Sequence, residues 1–439
     1  MVELPKYLFD IETELLRGLK GRFVGLTPAQ RFDMIKNLVA TINPILTVDE
    51  LKLIEQDMLD LGDFTPFLQS NDVEDIMINN TKNVFVYDSR KGNVNTGIKF
   101  KSQAELERFV RKLELYATNE TISDQILDVH LPFGSRVNIV SSPLGYDITI
   151  RNSKREPLSI LDLINRQELD YRIAARLWLY TEGLHVKPAN ILIGGMPASG
   201  KTTLLNSLFS FYRPEERVIT IEETYELNTS TQENCVNLET NQDMPLITLV
   251  NNALRMRPDI MIIGEVRGPE ANDMITAMNV GKICVGTIHA SSSRDVINRL
   301  QHFPMNVPKD IIPVIDAIII VSPIYIKNTI TRKITQISEI SGIEDQVLLS
   351  DLYVYDYKSQ KGSPIMPSVT YRDNLSKLLG ISPMDIVEEE RARALLLEKM
   401  NNMNLTKIEE IHNVVKDYYK DPVATLEKFN IKGVKPIVQ

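Results

Sequence analysis

Cysteine is almost missing from this chain: Cys235 and Cys284 are the only two in 439 residues. Two thiols build neither a disulfide framework nor a four-cysteine zinc site, so no zinc is expected. Tryptophan occurs once and aromatics make up 7%, which leaves little material for base-stacking platforms. Lys and Arg number 49 against 58 Asp and Glu, a net charge of −9. Nucleic acid is therefore not expected as the main partner, although a local basic groove would survive such a total. Long apolar runs are missing too. The best, residues 311–321, is broken by Pro313 and Asp316 and reaches about half of the roughly 20 residues that span a bilayer. The opening MVELPKYLFDIETELL has acids where a secretory signal has a basic stretch and an unbroken apolar core. A cytoplasmic chain is expected, with any membrane association made through a partner or a surface.

What is present is globular material, 43% hydrophobic and 24% charged, with length for about three domains. Residues 1–60 read as short amphipathic helices: Leu8, Ile11, Leu15 and Leu19 form one stripe, and Ile35, Leu38, Val39 and Ile42 belong to another. Residues 61–152 read as a mixed α/β domain, with strands at 75–80 and 84–87, a helix near 103–117, and strands at 136–140 and 147–151. The polar, proline-closed stretch at 153–160 is the predicted linker. Over 161–350, apolar runs at 191–193, 218–221, 260–263, 283–285 and 317–321 alternate with helical patterns. That alternation predicts parallel strands buried on both faces, a doubly wound sheet. Residues 351–439 read as mainly helical: Ser382-Pro383-Met384-Asp385 and Thr406-Lys407-Ile408-Glu409 look like capping boxes, and Asp421-Pro422 opens a further short helix.

Gly195-Met196-Pro197-Ala198-Ser199-Gly200-Lys201-Thr202 fits G-x-x-x-x-G-K-[ST]. Gly195 and Gly200 let the backbone curl so that its N–H groups converge on a phosphate at the positive end of the following helix. Lys201 supplies a charge between β- and γ-phosphates, and Thr202 a Mg²⁺ ligand. A strand before and a helix after make this a predicted nucleoside-triphosphate site, lined by Gly195, Pro197, Ala198, Ser199, Gly200, Lys201, Thr202 and Thr203. Three further elements belong at the same sheet edge. Glu222 and Glu223 close the next strand, where an acid can polarise water or hold Mg²⁺ through water; Glu226 beyond them reads as solvated. In Pro258-Asp259-Ile260-Met261-Ile262-Ile263-Gly264-Glu265, the acid with the phosphates is Glu265. Asp259 opens the strand, roughly 20 Å away, and reads as a turn residue. His289, in Gly286-Thr287-Ile288-His289, is placed to hydrogen-bond a γ-phosphate, whereas the five histidines have no metal-ligand spacing.

The order of these elements, P-loop, IEETYEL, LRMRPDIMIIGEVRGPEA and GTIHASS, resembles the type II/IV secretion ATPase superfamily, whose Walker A, aspartate, Walker B and histidine boxes they match. VEDIMINNTKNVFV and LPFGSRVNIVSSPLGYDITIRN resemble that family's N-terminal domain, and the C-terminal ERARALLLEKM and VVKDYYKDP are most similar to the branch of archaellum motors and archaeal pilus ATPases. Tight-adherence pilus ATPases share the core. The resemblance implies a RecA-like core with an α/β N-terminal domain and a helical C-terminal appendix. It also implies a homo-hexamer using ATP and Mg²⁺, and work on a pilus, archaellum or secretion machine through a polytopic membrane platform protein. Carried over by motif, Glu222 or Glu223 and Glu265 are the catalytic acids, Lys201 and His289 act on the phosphates, and Thr202 and Glu265 hold the metal, partly through water. Arg136 in GSRV and Arg151 in TIRN match arginines that reach a nucleotide across a domain or subunit boundary. The sequence departs twice: the tetracysteine zinc motif of some bacterial members is excluded, and the acid pair is Glu-Glu where Glu-Asp is commoner. The other readings are a nucleic-acid-translocating RecA-like motor and a nucleotide switch with little turnover.

Overall fold

The computed structural model describes residues 4–43, 45–123, 125–132, 134–152, 157–241, 243–326 and 329–437. The chain separates into two compact units: Met1–Glu156 with Lys327–Ile330, and Pro157–Ile326 with Thr331–Gln439. Within the linker reading 153–160, residues 153–156 lie outside the described residues.

In the first unit, helices Lys6–Gly18, Pro28–Ile42 and Val48–Leu59 open the chain. Thr27 and Thr47 head the second and third, each in a reciprocal capping box that satisfies N–H groups a helix start would otherwise leave bare. Leu8, Ile11, Leu15 and Leu19 bury as one stripe with Ile35, Val39, Ile54 and Met58. Leu38 and Ile42, read with the second stripe, instead lie on the outside, 37% and 38% exposed. Seven strands follow: β1 Val73–Asn79, β2 Asn83–Asp88, β3 Gly92–Asn95, β4 Ala117–Ser123, β5 Ile126–His130, β6 Arg136–Ser142 and β7 Gly145–Arg151. They form an antiparallel sheet in the order β3-β2-β1-β7-β6-β5-β4. Helix Gln103–Glu114 ends sooner than the sequence suggested, because β4 starts at Ala117. Its Leu106, Phe109, Val110 and Leu113 join the sheet's core. The opposite side of that helix carries Arg108 and Lys112 into a buried ionic group with Glu12 and Asp57, which ties the first and third helices to the α/β layer. The helical segment and the α/β layer are thus one compact unit.

The second unit contains β8 Ile191–Gly194, β9 Val218–Glu222, β10 Cys235–Glu239, β11 Ile260–Val266, β12 Ile283–Ile288, β13 Ala317–Ile326, β14 Thr329–Ile343, β15 Val347–Asp356 and β16 Lys361–Gly362. Their order is β10-β9-β11-β12-β8-β13-β14-β15-β16. The first six positions are parallel throughout, and apolar clusters cover both faces. This is the doubly wound sheet that the apolar runs predicted, matching the RecA-like core that the family resemblance implies. Antiparallel pairing extends it through β14, β15 and β16. The boundary drawn at 350 falls inside β15, so the last region begins as sheet and turns helical only afterwards.

Helices Thr370–Leu379, Pro383–Asn402, Ile408–Lys420 and Pro422–Lys428 complete the chain. Ser382 and Asp385 make the expected capping box. The next one is displaced by a residue: Lys407, not Thr406, is the cap position, and its N–H donates to Glu410 at 3.1 Å. These helices pack on helix Tyr171–Glu182. There Trp178 stacks on Phe211 with ring centroids 5.2 Å apart and donates its indole N–H to the Tyr419 hydroxyl at 2.7 Å.

Candidate functional site

Four parallel strands deliver the predicted residues to one edge of the second unit's sheet. β8 ends at Gly194, and helix Lys201–Leu208 starts seven residues later. The loop between is tight. A Cβ on Gly195 would meet Ser199 Oγ at 2.3 Å and the Val321 carbonyl at 2.6 Å, so no side chain fits there. Gly200 has φ +100 and Ala198 φ +58, left-handed conformations that glycine adopts freely and alanine only at a cost. The loop leads directly into the start of that helix, the place where free backbone N–H groups can cradle an anion. Ser199 Oγ is buried in it with no hydrogen-bond partner among the described residues.

Lys201 is 8% exposed. Its ammonium donates to the Gly195 carbonyl at 3.0 Å and the Met196 carbonyl at 3.3 Å, and meets His289 Nδ1 at 3.2 Å. The same Nδ1 lies 3.3 Å from the Gly195 carbonyl, so it accepts from the ammonium in one tautomer and donates to the carbonyl in the other. Nε2 faces Glu265, with which His289 pairs. Lys201, His289 and Glu265 thus stand in one polar row, from the loop to the ends of β12 and β11, in which the nearer Glu265 oxygen is buried and makes no hydrogen bond among the described residues. A bulge produces part of this. From Ile263 to Val266, β11 advances three residues while β12 advances two, from Gly286 to Ile288. The extra residue bows Gly264 and Glu265 out of register, and Thr287 donates its hydroxyl to the Gly264 carbonyl.

The two neighbouring glutamates at the end of β9 are in opposite surroundings. Glu222 is 3% exposed. One carboxylate oxygen accepts the N–H groups of Glu226 at 3.0 Å and Leu227 at 3.1 Å, and the other is buried without a partner among the described residues. Burial pushes its pKa up to about 7, against the lowering effect of the two N–H groups. Glu223 is half-exposed and pairs with Arg267. Glu226 is exposed, as read. Asp259 lies at the far end of β11, where it accepts the Arg217 N–H at 2.8 Å, a turn role.

Thr202 and Thr203 follow Lys201 in the first turn of the helix, half-buried, and Pro197 is exposed in the loop. Arg136 and Arg151 belong to the first unit. They are direct cross-strand partners on β6 and β7, and Asp75 on β1 is the next residue in the same row. Arg332 escaped the sequence reading. It is 9% exposed on β14 and donates Nε–H to the Ala198 carbonyl at 2.8 Å. No motif flags a lone arginine in a strand 134 residues from its partner.

A parallel sheet with a phosphate loop after one strand, and acids and a histidine closing its neighbours, defines a RecA-like P-loop fold. Residues 59–337 match the family described as type II/IV secretion system protein, and the chain belongs to that family. It is 29% identical over 442 residues to "uncharacterized protein MJ0900" of Methanocaldococcus jannaschii, covering 95% of this chain and 79% of that one. It is 32% identical over 211 residues to the type IV secretion system protein PtlH of Bordetella pertussis, covering 42% of this chain and 62% of that one. Among solved structures, the pilus retraction motor PilT with bound ADP aligns at a TM-score of 0.46 and 16% identity, covering 86% of this chain and 95% of that chain. No helix among the described residues is long and apolar enough to cross a membrane.

Proposed function

We propose that this chain is a Mg²⁺-dependent ATPase that works as a hexameric motor on a filament or secretion machine at a membrane platform protein. The observation that carries the reading is the polar chain Lys201–His289–Glu265 beside the buried Glu222, on the edge where the P-loop opens. The loop's two constrained glycine positions and the orphaned Ser199 hydroxyl suit a phosphate group.

Hydrolysis joins a water oxygen to the γ-phosphorus, breaks the bond to the bridging β-phosphate oxygen, and passes a water proton to a base. Glu222 suits the base: a carboxyl near 7 with a buried, unpartnered oxygen can take a proton at neutral pH. Glu223, exposed and paired with Arg267, suits a supporting electrostatic role. Lys201 exchanges its loop carbonyls for phosphate oxygens, and that exchange frees His289 Nδ1, in its N–H form, to donate to the γ-phosphate. Thr202 and Glu265 would hold Mg²⁺, which supplies charge on the phosphate oxygens when bound. Arg136 and Arg151, two like charges at adjacent register positions, suit the task of meeting an anion from another domain or subunit. The name of PtlH places that relative in a type IV secretion system; the family membership of this chain extends the expectation of a membrane machine to it.

The test is steady-state phosphate release by the full chain. Lys201→Ala is expected to reduce turnover by at least about a hundredfold with an unchanged circular dichroism spectrum. Undiminished turnover in that variant would sink the assignment. Stimulation by single-stranded DNA, and not by membranes carrying a platform protein, would favour a nucleic-acid motor.

A further inference from the structure

Strand β14 runs through both units. Thr329 and Ile330 belong to the first: the Ile330 N–H donates to the Arg90 carbonyl at 2.8 Å, and its Cδ1 lies 3.4 Å from where a Cβ on Gly92 would sit. From Thr331 onward the strand belongs to the second unit. Lys333 donates its ammonium to the Gln167 carbonyl at 2.7 Å, and the Ile334 N–H donates to the Glu168 carbonyl at 3.0 Å. Between these two anchorages stands Arg332. Its Nε–H holds the Ala198 carbonyl at 2.8 Å, and its Cδ lies 3.1 Å from the place a Cβ would occupy on Gly200.

Ala198 has no glycine-like licence for φ +58; a residue held there is strained and persists only when its surroundings impose it. Arg332 is such a surrounding. A charged donor binds a carbonyl more strongly than a neutral one does, and the arginine stem fills the space beneath Gly200. The two restrained residues bracket Ser199, in the loop of the proposed phosphate site.

We propose that Arg332 is a positioning residue that keeps the phosphate loop in its anion-binding shape. The inference rests on the nucleotide-site reading for its catalytic consequence, but not for its structural one.

Backbone amide hydrogen exchange of the nucleotide-free full chain, followed over residues 196–202, tests the positioning role. Arg332→Ala is expected to speed exchange there about tenfold, as loss of a charge-assisted hydrogen bond would. Arg332→Lys should restore part of the protection, because a lysine keeps the charge without the fixed fork. With ATP, Arg332→Ala should raise KM about tenfold and leave kcat within about twofold, the split expected when ground-state binding is lost and folding is not. Unchanged exchange in Arg332→Ala overturns the positioning role. If Arg332→Ala does not fold, Arg332→Lys and Arg332→Gln give the same comparison. Absence of turnover in the unaltered chain would count against the ATPase reading alone, and the exchange data would still decide on Arg332.

Discussion

Charge is buried in two regions of the second unit, and the two treat it in opposite ways. Beneath the C-terminal helices, Arg393 is 2% exposed and answers two carboxylates, Glu182 at 2.5 Å and Glu389 at 2.7 Å, while lying 4.9 Å from the Trp178 ring centre. Glu389 also accepts the Tyr418 hydroxyl at 3.0 Å and the Ile437 N–H at 2.8 Å; Glu182 accepts the N–H groups of Leu184 and His185. At the carboxyl edge of the parallel strands, Glu222 has no ion-pair partner among the described residues, and one of its oxygens is left bare, as is Ser199 Oγ. A buried group costs free energy unless it is paired. The first region offsets most of that cost within the chain, although Arg393 Nη1 is buried without a hydrogen bond among the described residues. The second leaves it standing, which is how a fold pre-forms a place for a ligand and a transferable proton.

The contrast breaks most visibly at Arg393. Arg393→Ala strands Glu182 and Glu389 without their cation, and removal of one partner from a buried pair costs about 3–5 kcal/mol. Chemical denaturation should show that loss as a lower midpoint. Nucleotide affinity of the fraction still folded should stay unchanged. A stability loss below about 1 kcal/mol would mean that the cluster is solvated.

Glu222→Gln should do the reverse. A proton acceptor disappears, so turnover falls about 10²–10⁴-fold. The carboxyl's folded pKa, about 7, stands above its ordinary value near 4.5, so the folded chain binds the extra proton between those pH values. Its contribution to stability therefore declines as pH rises from about 4.5 to about 7, and is at its least above 7. Glutamine, uncharged throughout, should raise Tm slightly at pH 8 and remove that part of the pH dependence. In the unaltered chain, turnover should climb with pH through about 7, as the base loses its proton. A pH–rate profile flat from 6 to 8 would exclude Glu222 as the base.

Much of this edge was legible in the sequence because phosphate chemistry demands particular residues in a fixed order. The glycines at 195 and 200, Lys201, Glu265 and His289 stand out for that reason, and the apolar runs before them announce parallel strands. Parity was not legible. Adjacent residues of a strand point to opposite sides, so Glu222 and Glu223 were equivalent as letters until β9 was seated in the sheet. The bulge that turns Glu265 outward, and the reach of Arg332 to Ala198, depend on contacts between distant segments. The alternation Ile330, Arg332, Ile334 along β14 reads as any half-buried strand. Leu38 and Ile42 misled for a related cause: the helix is short of neighbours on that side, and apolar letters alone do not say what covers them.

The smallest expected effect lies at the exposed member of the glutamate pair. Glu223 and Arg267 are about half exposed, 51% and 53%, and an ion pair open to water contributes about 0–1 kcal/mol. Arg267 has a second attachment that does not depend on its charge: its backbone N–H donates to Glu270 at 2.7 Å, which holds the turn after β11. Arg267→Ala should therefore leave Tm within about 2 °C and lower turnover by less than about tenfold, with the deficit fading at high salt as the remaining charge at Glu223 is screened. Glu223→Gln should match it, and the double variant should add little, since both changes remove the same contact. A Glu223→Gln variant as inactive as Glu222→Gln would reverse the assignment of roles within the pair, and would show that burial is the wrong guide to which of two adjacent acids handles the proton.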